Sequence, residues 1–222
     1  MSKLVLVAGP QAAGKSTVIA NLREGHQKAL QFFPQAKLPS LVTLQETRQI
    51  IVHKYMLSGA IFMTRGHEAE IVLTDLHRMD TILEHDDDNT IYVDECNVFT
   101  IAHAMAHGIS DVEQYWEEYL RRLARLDAEV IFLNVPPAIS WQRRQKHYEQ
   151  RLLRFPKRDR PAILARYEEY LKKLYPQLLD LYHRLPLSKQ MIDGCLPSDT
   201  VVQKVIERII EPSLRPAYSL DH

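Results

Sequence analysis

The segment Gly9-Pro10-Gln11-Ala12-Ala13-Gly14-Lys15-Ser16-Thr17 carries the most specific chemistry of this chain. Its spacing fits G-x-x-x-x-G-K-[ST], a pattern whose parts each have a physical task. Gly9 and Gly14 let successive backbone N–H groups turn inward on an anion. The amino end of a following helix adds the positive end of its dipole. Lys15 reaches β- and γ-phosphates, and the Ser16 hydroxyl is a ligand for Mg²⁺. Gly9, Ala12, Ala13, Gly14, Lys15, Ser16 and Thr17 are therefore expected to cradle a nucleoside triphosphate, with ATP and Mg²⁺ as the cofactors. The flanks agree: Leu4-Val5-Leu6-Val7 reads as a buried strand, and Thr17-Val18-Ile19-Ala20-Asn21-Leu22 opens an amphipathic helix.

Two acidic positions follow other β-rich runs. Asp94-Glu95 comes after Ile91-Tyr92-Val93, the form of a Walker B element, where Asp94 would join Ser16 on Mg²⁺ and Glu95 would accept a proton. In an ATPase that proton comes from water, in a kinase from the acceptor hydroxyl; the dipeptide alone does not separate them. Glu46 and Arg48 follow Leu41-Val42-Thr43-Leu44 and suit an acceptor hydroxyl and a phosphate or base. Glu46 equally favours a first helical turn through the dipole. Asp75 and Arg78 are three apart, sharing the face of a helix that also carries Glu70. That spacing fits a surface ion pair as well as a substrate clamp. Glu84-His85-Asp86-Asp87-Asp88 reads as a solvated helix end.

The densest charge lies at Arg143, Arg144, Lys146, Arg151, Arg154, Lys157, Arg158 and Arg160, opposed by Glu149 and Asp159. Following the strand Val130-Ile131-Phe132-Leu133-Asn134-Val135, it reads as a lid over about 143–160, with Arg143 and Arg151 neutralising a transferring phosphoryl group. His103 and His107 are spaced i, i+4 but lack the third ligand of a zincin, so core and surface packing explain them better. Tyr167, Tyr170, Tyr175 and Tyr182 read as packing residues of a long helix.

The elements that must position these groups alternate. Strands near 4–7, 41–44, 91–93, 130–135 and 191–192 are separated by helices near 46–58, 66–86, 97–107, 111–126, 137–150, 161–184 and 198–210. Alternation of this kind implies βαβ units, a parallel sheet and helices on both faces, with ligands beyond the carboxyl ends of the strands. A length of 222 residues suits one domain over 1–211 with a loosely packed tail over 212–222. Charge is balanced, 28 basic against 28 acidic residues, which disfavours a general polyanion binder. Cys96 and Cys195 show no metal-ligand spacing and read as reduced thiols of a cytoplasmic protein. No apolar run approaches the roughly 18 residues of a membrane span.

In combination these residues resemble the P-loop kinases of the thymidylate kinase and deoxynucleoside kinase group, within the nucleoside monophosphate kinase-like fold. The resemblance spans most of 1–211. It rests on Leu4 through Thr17, on the helix from Glu70 to Arg78, and on Asp94-Glu95-Cys96 with Ile101-Ala102-His103-Ala104. Its most specific part is Leu133-Asn134-Val135-Pro136-Pro137-Ala138-Ile139-Ser140-Trp141-Gln142-Arg143, similar to the family's strand, Pro-Pro turn and lid-entry Arg. Ile192-Asp193-Gly194, with Val201, Val205 and Ile209, resembles the last strand and closing helix. It implies a three-layer fold with five parallel strands in the order 2-3-1-4-5, phosphates and Mg²⁺ at Lys15 and Ser16, Glu46 or Glu95 as the base, and lid arginines at Arg143 and Arg151. Two places depart from the family. Glu95 and Cys96 stand where an Arg is expected after the third strand, and Gln45-Glu46-Thr47-Arg48 replaces the signature after the second. Both places serve the acceptor.

The expectation is an ATP-dependent, Mg²⁺-requiring kinase for a nucleoside or nucleotide, with Glu46, Arg48, Asp75, Arg78 and Glu95 around the acceptor. A nucleotide-dependent regulatory module would use the same cradle. A kinase for nucleic-acid ends or modified bases would use the 143–160 cations, although the neutral overall charge disfavours it. A homodimer is compatible with the sequence.

Overall fold

A computed structural model describes residues 3–32, 38–85 and 89–209. The expected tail over 212–222 and the acidic run Asp86–Asp88 lie outside the described residues. In chain order the elements are β1 (Lys3–Ala8), α1 (Lys15–Phe32), β2 (Ser40–Leu44), α2 (Thr47–Lys54), α3 (Arg65–Glu84), β3 (Thr90–Glu95), α4 (Thr100–Ala106), α5 (Trp116–Leu123), β4 (Asp127–Asn134), α6 (Pro137–Arg151), α7 (Arg160–Arg184), β5 (Ser188–Asp193) and α8 (Ser198–Ile209). The strands form one sheet, β2-β3-β1-β4-β5, parallel at every pairing. This is the order that the family resemblance implies.

Both faces of the sheet are covered, which is why its central strands read as continuous apolar runs. Along β1 and β4, alternate side chains serve different cores. Leu4, Leu6, Val130 and Phe132 pack with α3, α4, α5 and α7. Val5, Val7, Ile131 and Leu133 pack with α1 and α8. The period-2 alternation of a strand makes this division automatic. The same alternation decides the site.

Several expected bounds shift for local backbone reasons. The helix predicted over 46–58 stops at Lys54, and Met56 and Gly59 then adopt positive φ of 51° and 148°. Ala60–Phe62 makes a short 3-10 turn beyond them. The helix predicted over 97–107 starts at Thr100, because Cys96 and Asn97 hold φ of 85° and 40°, outside the helical region. The fourth and fifth strands are longer than their apolar centres, reaching back to Asp127 and Ser188. The added residues at the starts of both strands are polar, Asp127 and Glu129 in β4 and Ser188, Lys189 and Gln190 in the edge strand β5, so the apolar signal fades there.

Candidate active site

The phosphate loop sits between β1 and α1, beside the end of β4. Gly9 has φ of 143°, and a Cβ there would lie 2.5 Å from the carbonyl oxygen of Leu133. Glycine is therefore required on two counts, conformation and space. Lys15 is buried and donates from Nζ to the carbonyls of Gly9 (3.1 Å) and Pro10 (3.2 Å). It thereby closes the loop on itself while remaining on the wall of a cleft of about 400 Å³. That wall includes residues 11–17.

At the carboxyl end of β3 the two acids part company. Glu95 lines the cleft and accepts from Ser16 Oγ through both carboxylate oxygens, at 3.0 and 3.1 Å. Asp94 projects to the other face of the sheet, fully buried, accepting from Asn97 Nδ2 at 2.7 Å. The expected pairing of Ser16 with Asp94 is thus replaced by Ser16 with Glu95. The reason is the pleat: residues adjacent in a strand face opposite sides, and only Glu95 faces the helix that carries Ser16. Burial pushes the Asp94 carboxyl up to about 7 against the pull of Asn97, while Glu95 and Glu46 add like charge. Glu95 is also raised by burial, with Lys15 opposing.

The second strand end divides similarly. Glu46 and Gln49 line the cleft, with Gln49 Nε2 donating to Glu46 Oε2 at 3.1 Å. Arg48 borders the cleft, but its guanidinium is committed elsewhere. Nη1 and Nη2 donate to the two oxygens of Glu68 at 2.6 Å each, and Nη2 also reaches Thr100 Oγ1 at 3.2 Å. Both partners of this bidentate pair are buried, at 4% and 0% exposure. Arg48 thus braces α2 against α3 and α4 in place of the expected acceptor contact.

Asp75 and Arg78 also turn toward the β2–α2 turn. Asp75 accepts from the Thr47 hydroxyl, and Arg78 Nη1 donates to the Gln45 carbonyl at 2.7 Å. Neither lines the cleft. Their i, i+3 spacing places both on one face, as expected, but that face holds the turn bearing Glu46. Burial and the neighbouring Asp94 raise the Asp75 carboxyl well above its ordinary value.

The facing wall comes from α6 and α7. Arg144, His147, Tyr148, Arg151 and Tyr167 line the cleft there, with His53 of α2. Arg151 is where the basic segment predicts it. Arg143 lies one position off this wall: its guanidinium donates to the carbonyls of Ala12 (3.2 Å) and Gly194 (3.0 Å), clamping the phosphate loop to the turn after β5. Arg144 carries a buried Nε with no hydrogen-bond partner among the described residues, and its charge acts on both Tyr148 and Glu95 across the cleft. Tyr148 and Tyr167 stack with ring centroids 4.1 Å apart, and Tyr148 donates to the Gln11 side chain. In the sequence Arg144 stands only as one cation of the basic segment, and His147, Tyr148 and the cleft position of Tyr167 are not singled out. The i, i+3, i+4, i+7 spacing of 144, 147, 148 and 151 on one helix was the signal that marks them.

The donor set at Ser16 and Glu95, a hydroxyl and a carboxylate beside the phosphate loop, is made of hard oxygen ligands and fits Mg²⁺. No helix of the described residues is long and apolar enough to cross a membrane.

No protein-family model and no curated protein matches this chain. Among solved structures it is similar to deoxyadenosine kinase from M. mycoides. A structure of that enzyme with the products dCMP and a flexible dCDP bound matches with a TM-score of 0.61 at 12% identity, covering 93% of this chain and 98% of that one. One with dATP bound matches with a TM-score of 0.57 at 15% identity, covering 92% and 98%. At such identities the likeness speaks to architecture, and it agrees with the strand order, phosphate loop and helical layers described above: the chain has a deoxynucleoside kinase-like P-loop fold.

Proposed function

We propose that this chain is an ATP-dependent kinase that transfers the γ-phosphoryl group to a nucleoside or nucleotide. One observation carries the reading: a single cleft has Lys15 and the Ser16–Glu95 pair on one wall and Arg144 and Arg151 on the other. Phosphoryl transfer needs a cradle for the donor phosphates and cations arranged around the equatorial oxygens. Lys15 and the loop amides hold the donor phosphates. Ser16 and Glu95 hold Mg²⁺, which supplies charge neutralisation when bound. Arg144 and Arg151 face the group in transfer.

Glu46 is the acceptor-side carboxylate and accepts the proton of the attacking hydroxyl. A bond forms from that oxygen to the γ-phosphorus while the bond to the ADP oxygen breaks. Glu95 is less suited to this task, because Ser16 already engages both of its oxygens. The similarity of fold to deoxyadenosine kinase supports a nucleoside or nucleotide acceptor.

The test is ATP consumption measured against a panel of nucleosides and nucleotides. One acceptor is expected to be phosphorylated in step with ADP release. Glu46→Gln is expected to lower that turnover by about 10²- to 10⁴-fold while ATP binding persists. ATP hydrolysis at one rate with or without any acceptor would overturn the kinase in favour of an ATPase switch.

A further inference from the structure

Behind the acceptor side of the cleft, three groups from three separate elements converge. Glu46 stands at the head of α2, Cys96 just after β3, and His103 on α4. One potential ligand atom from each lies within 4.8 Å of the other two, and all three residues are buried. His103 Nδ1 is paired with the Tyr170 hydroxyl at 2.6 Å, while its Nε2 is buried with no hydrogen-bond partner among the described residues. Cys96 is held in the left-handed region, φ 85° and ψ −60°, a conformation that costs an L residue free energy and that concentrates at functional sites.

We propose that Glu46, Cys96 and His103 form a binding site for a borderline divalent cation of the Zn²⁺ type, sharing Glu46 with the cleft. The donor set is one sulfur, one imidazole nitrogen and one carboxylate oxygen, the combination that Zn²⁺ and Co²⁺ accept and that Mg²⁺ does not favour. Tyr170 acts as the outer partner: by engaging Nδ1 it fixes the imidazole orientation and leaves Nε2 as the ligating atom. Charge fits as well. A thiolate and a carboxylate balance a dication, so the loaded site is neutral where burial penalises net charge. Of the two cations nearby, Arg48 is already neutralised by Glu68, and Lys15 is turned to the carbonyls of Gly9 and Pro10. Loading deprotonates the Cys96 thiol and releases one proton to solvent. Because it also occupies the Glu46 carboxylate, the cation inhibits phosphoryl transfer; this last consequence rests on the kinase reading above.

The experiment is a Co²⁺ titration of the full chain after chelator treatment, followed by the thiolate-to-cobalt charge-transfer absorption. A saturable band is expected, rising to a single Co²⁺ per chain and displaced by Zn²⁺. Cys96→Ser should abolish the band, and Cys195→Ser, at the exposed second cysteine, should leave it intact. Tyr170→Phe should weaken affinity by about tenfold or more. No band in the wild-type chain overturns the site, as does a band that follows Cys195 in place of Cys96. Because the wild-type titration decides by itself, a Cys96 variant that fails to fold does not rescue the idea. Co²⁺ binding by a chain that, freed of the cation and supplied with Mg²⁺, still transfers no phosphoryl group would leave this site standing and sink the kinase; transfer by a chain that gives no Co²⁺ band would do the reverse.

Discussion

In the phosphate loop the charged side chain bonds to its own neighbourhood. Lys15 reaches the carbonyls of Gly9 and Pro10, six and five positions away. At the ends of β2 and α3 the charges bond across the chain instead. Arg48 reaches Glu68 and Thr100, 20 and 52 positions on, and Thr47 reaches Asp75 across 28. The first region is a local device whose charges stay available to a ligand. The second is a brace: its charges neutralise one another under the cleft and hold Glu46 and Gln49 in place. Similar residue types thus serve binding in one half and stability in the other, and substitutions should separate the two.

The largest expected effect lies in the brace. Arg48→Ala leaves the fully buried Glu68 without its partner and should cost about 3–5 kcal/mol of stability, read by denaturant unfolding. Replacing both partners with apolar residues of similar volume should restore most of that. If Arg48→Ala folds normally and loses only acceptor affinity, the comparison is broken. In the loop, Lys15→Ala should instead lower turnover by about 10²- to 10³-fold with the unfolding midpoint little changed.

Neighbouring arginines sharpen the contrast within the donor half. Arg144→Ala, on the cleft wall, should lower turnover by about 10²-fold. Arg143→Ala, which releases Ala12 and Gly194, should act mainly on the KM for ATP and by less than that. Equal effects on turnover would place both at the reacting group.

The last effect is read along pH. Asp94 has its carboxyl raised from 3.8 to about 7, so the folded chain holds a proton there that the unfolded chain has lost. That contribution to stability is complete below about pH 4 and disappears as pH rises through about 7. Asp94→Asn should flatten the decline over this window, with Asp75, raised likewise, accounting for what slope persists.

The alternation of elements, the phosphate loop and the Pro-Pro entry to α6 were legible because each depends on residues close in sequence. The positive φ that favours glycine at position 9 belongs to the turn of the loop itself, and Pro137 takes the first turn of α6 whatever lies around it. The misreadings share a different cause. Asp94 and Glu95 are chemically alike and adjacent, so only the orientation of the pleat against α1 tells which one meets Ser16. Arg143 and Arg144 are alike and adjacent too, and only the packing of α6 against the loop decides which lines the cleft and which bonds to Ala12 and Gly194. Met56 and Cys96 adopt positive φ although neither residue type favours it, so their types did not announce where those helices would begin and end.

By itself, the sequence determined that a glycine-rich phosphate-loop pattern lies between a buried strand and a helix, because backbone geometry and residue type suffice for that. Tertiary structure alone decided the rest of the cleft. It turned Arg48 and Asp75 inward, lined the facing wall with Arg144 and Tyr167, and brought Glu46, Cys96 and His103 within 4.8 Å of one another. These are contacts between elements distant in the chain, and the closest packing of two covered sheet faces, which no local pattern encodes, selects them.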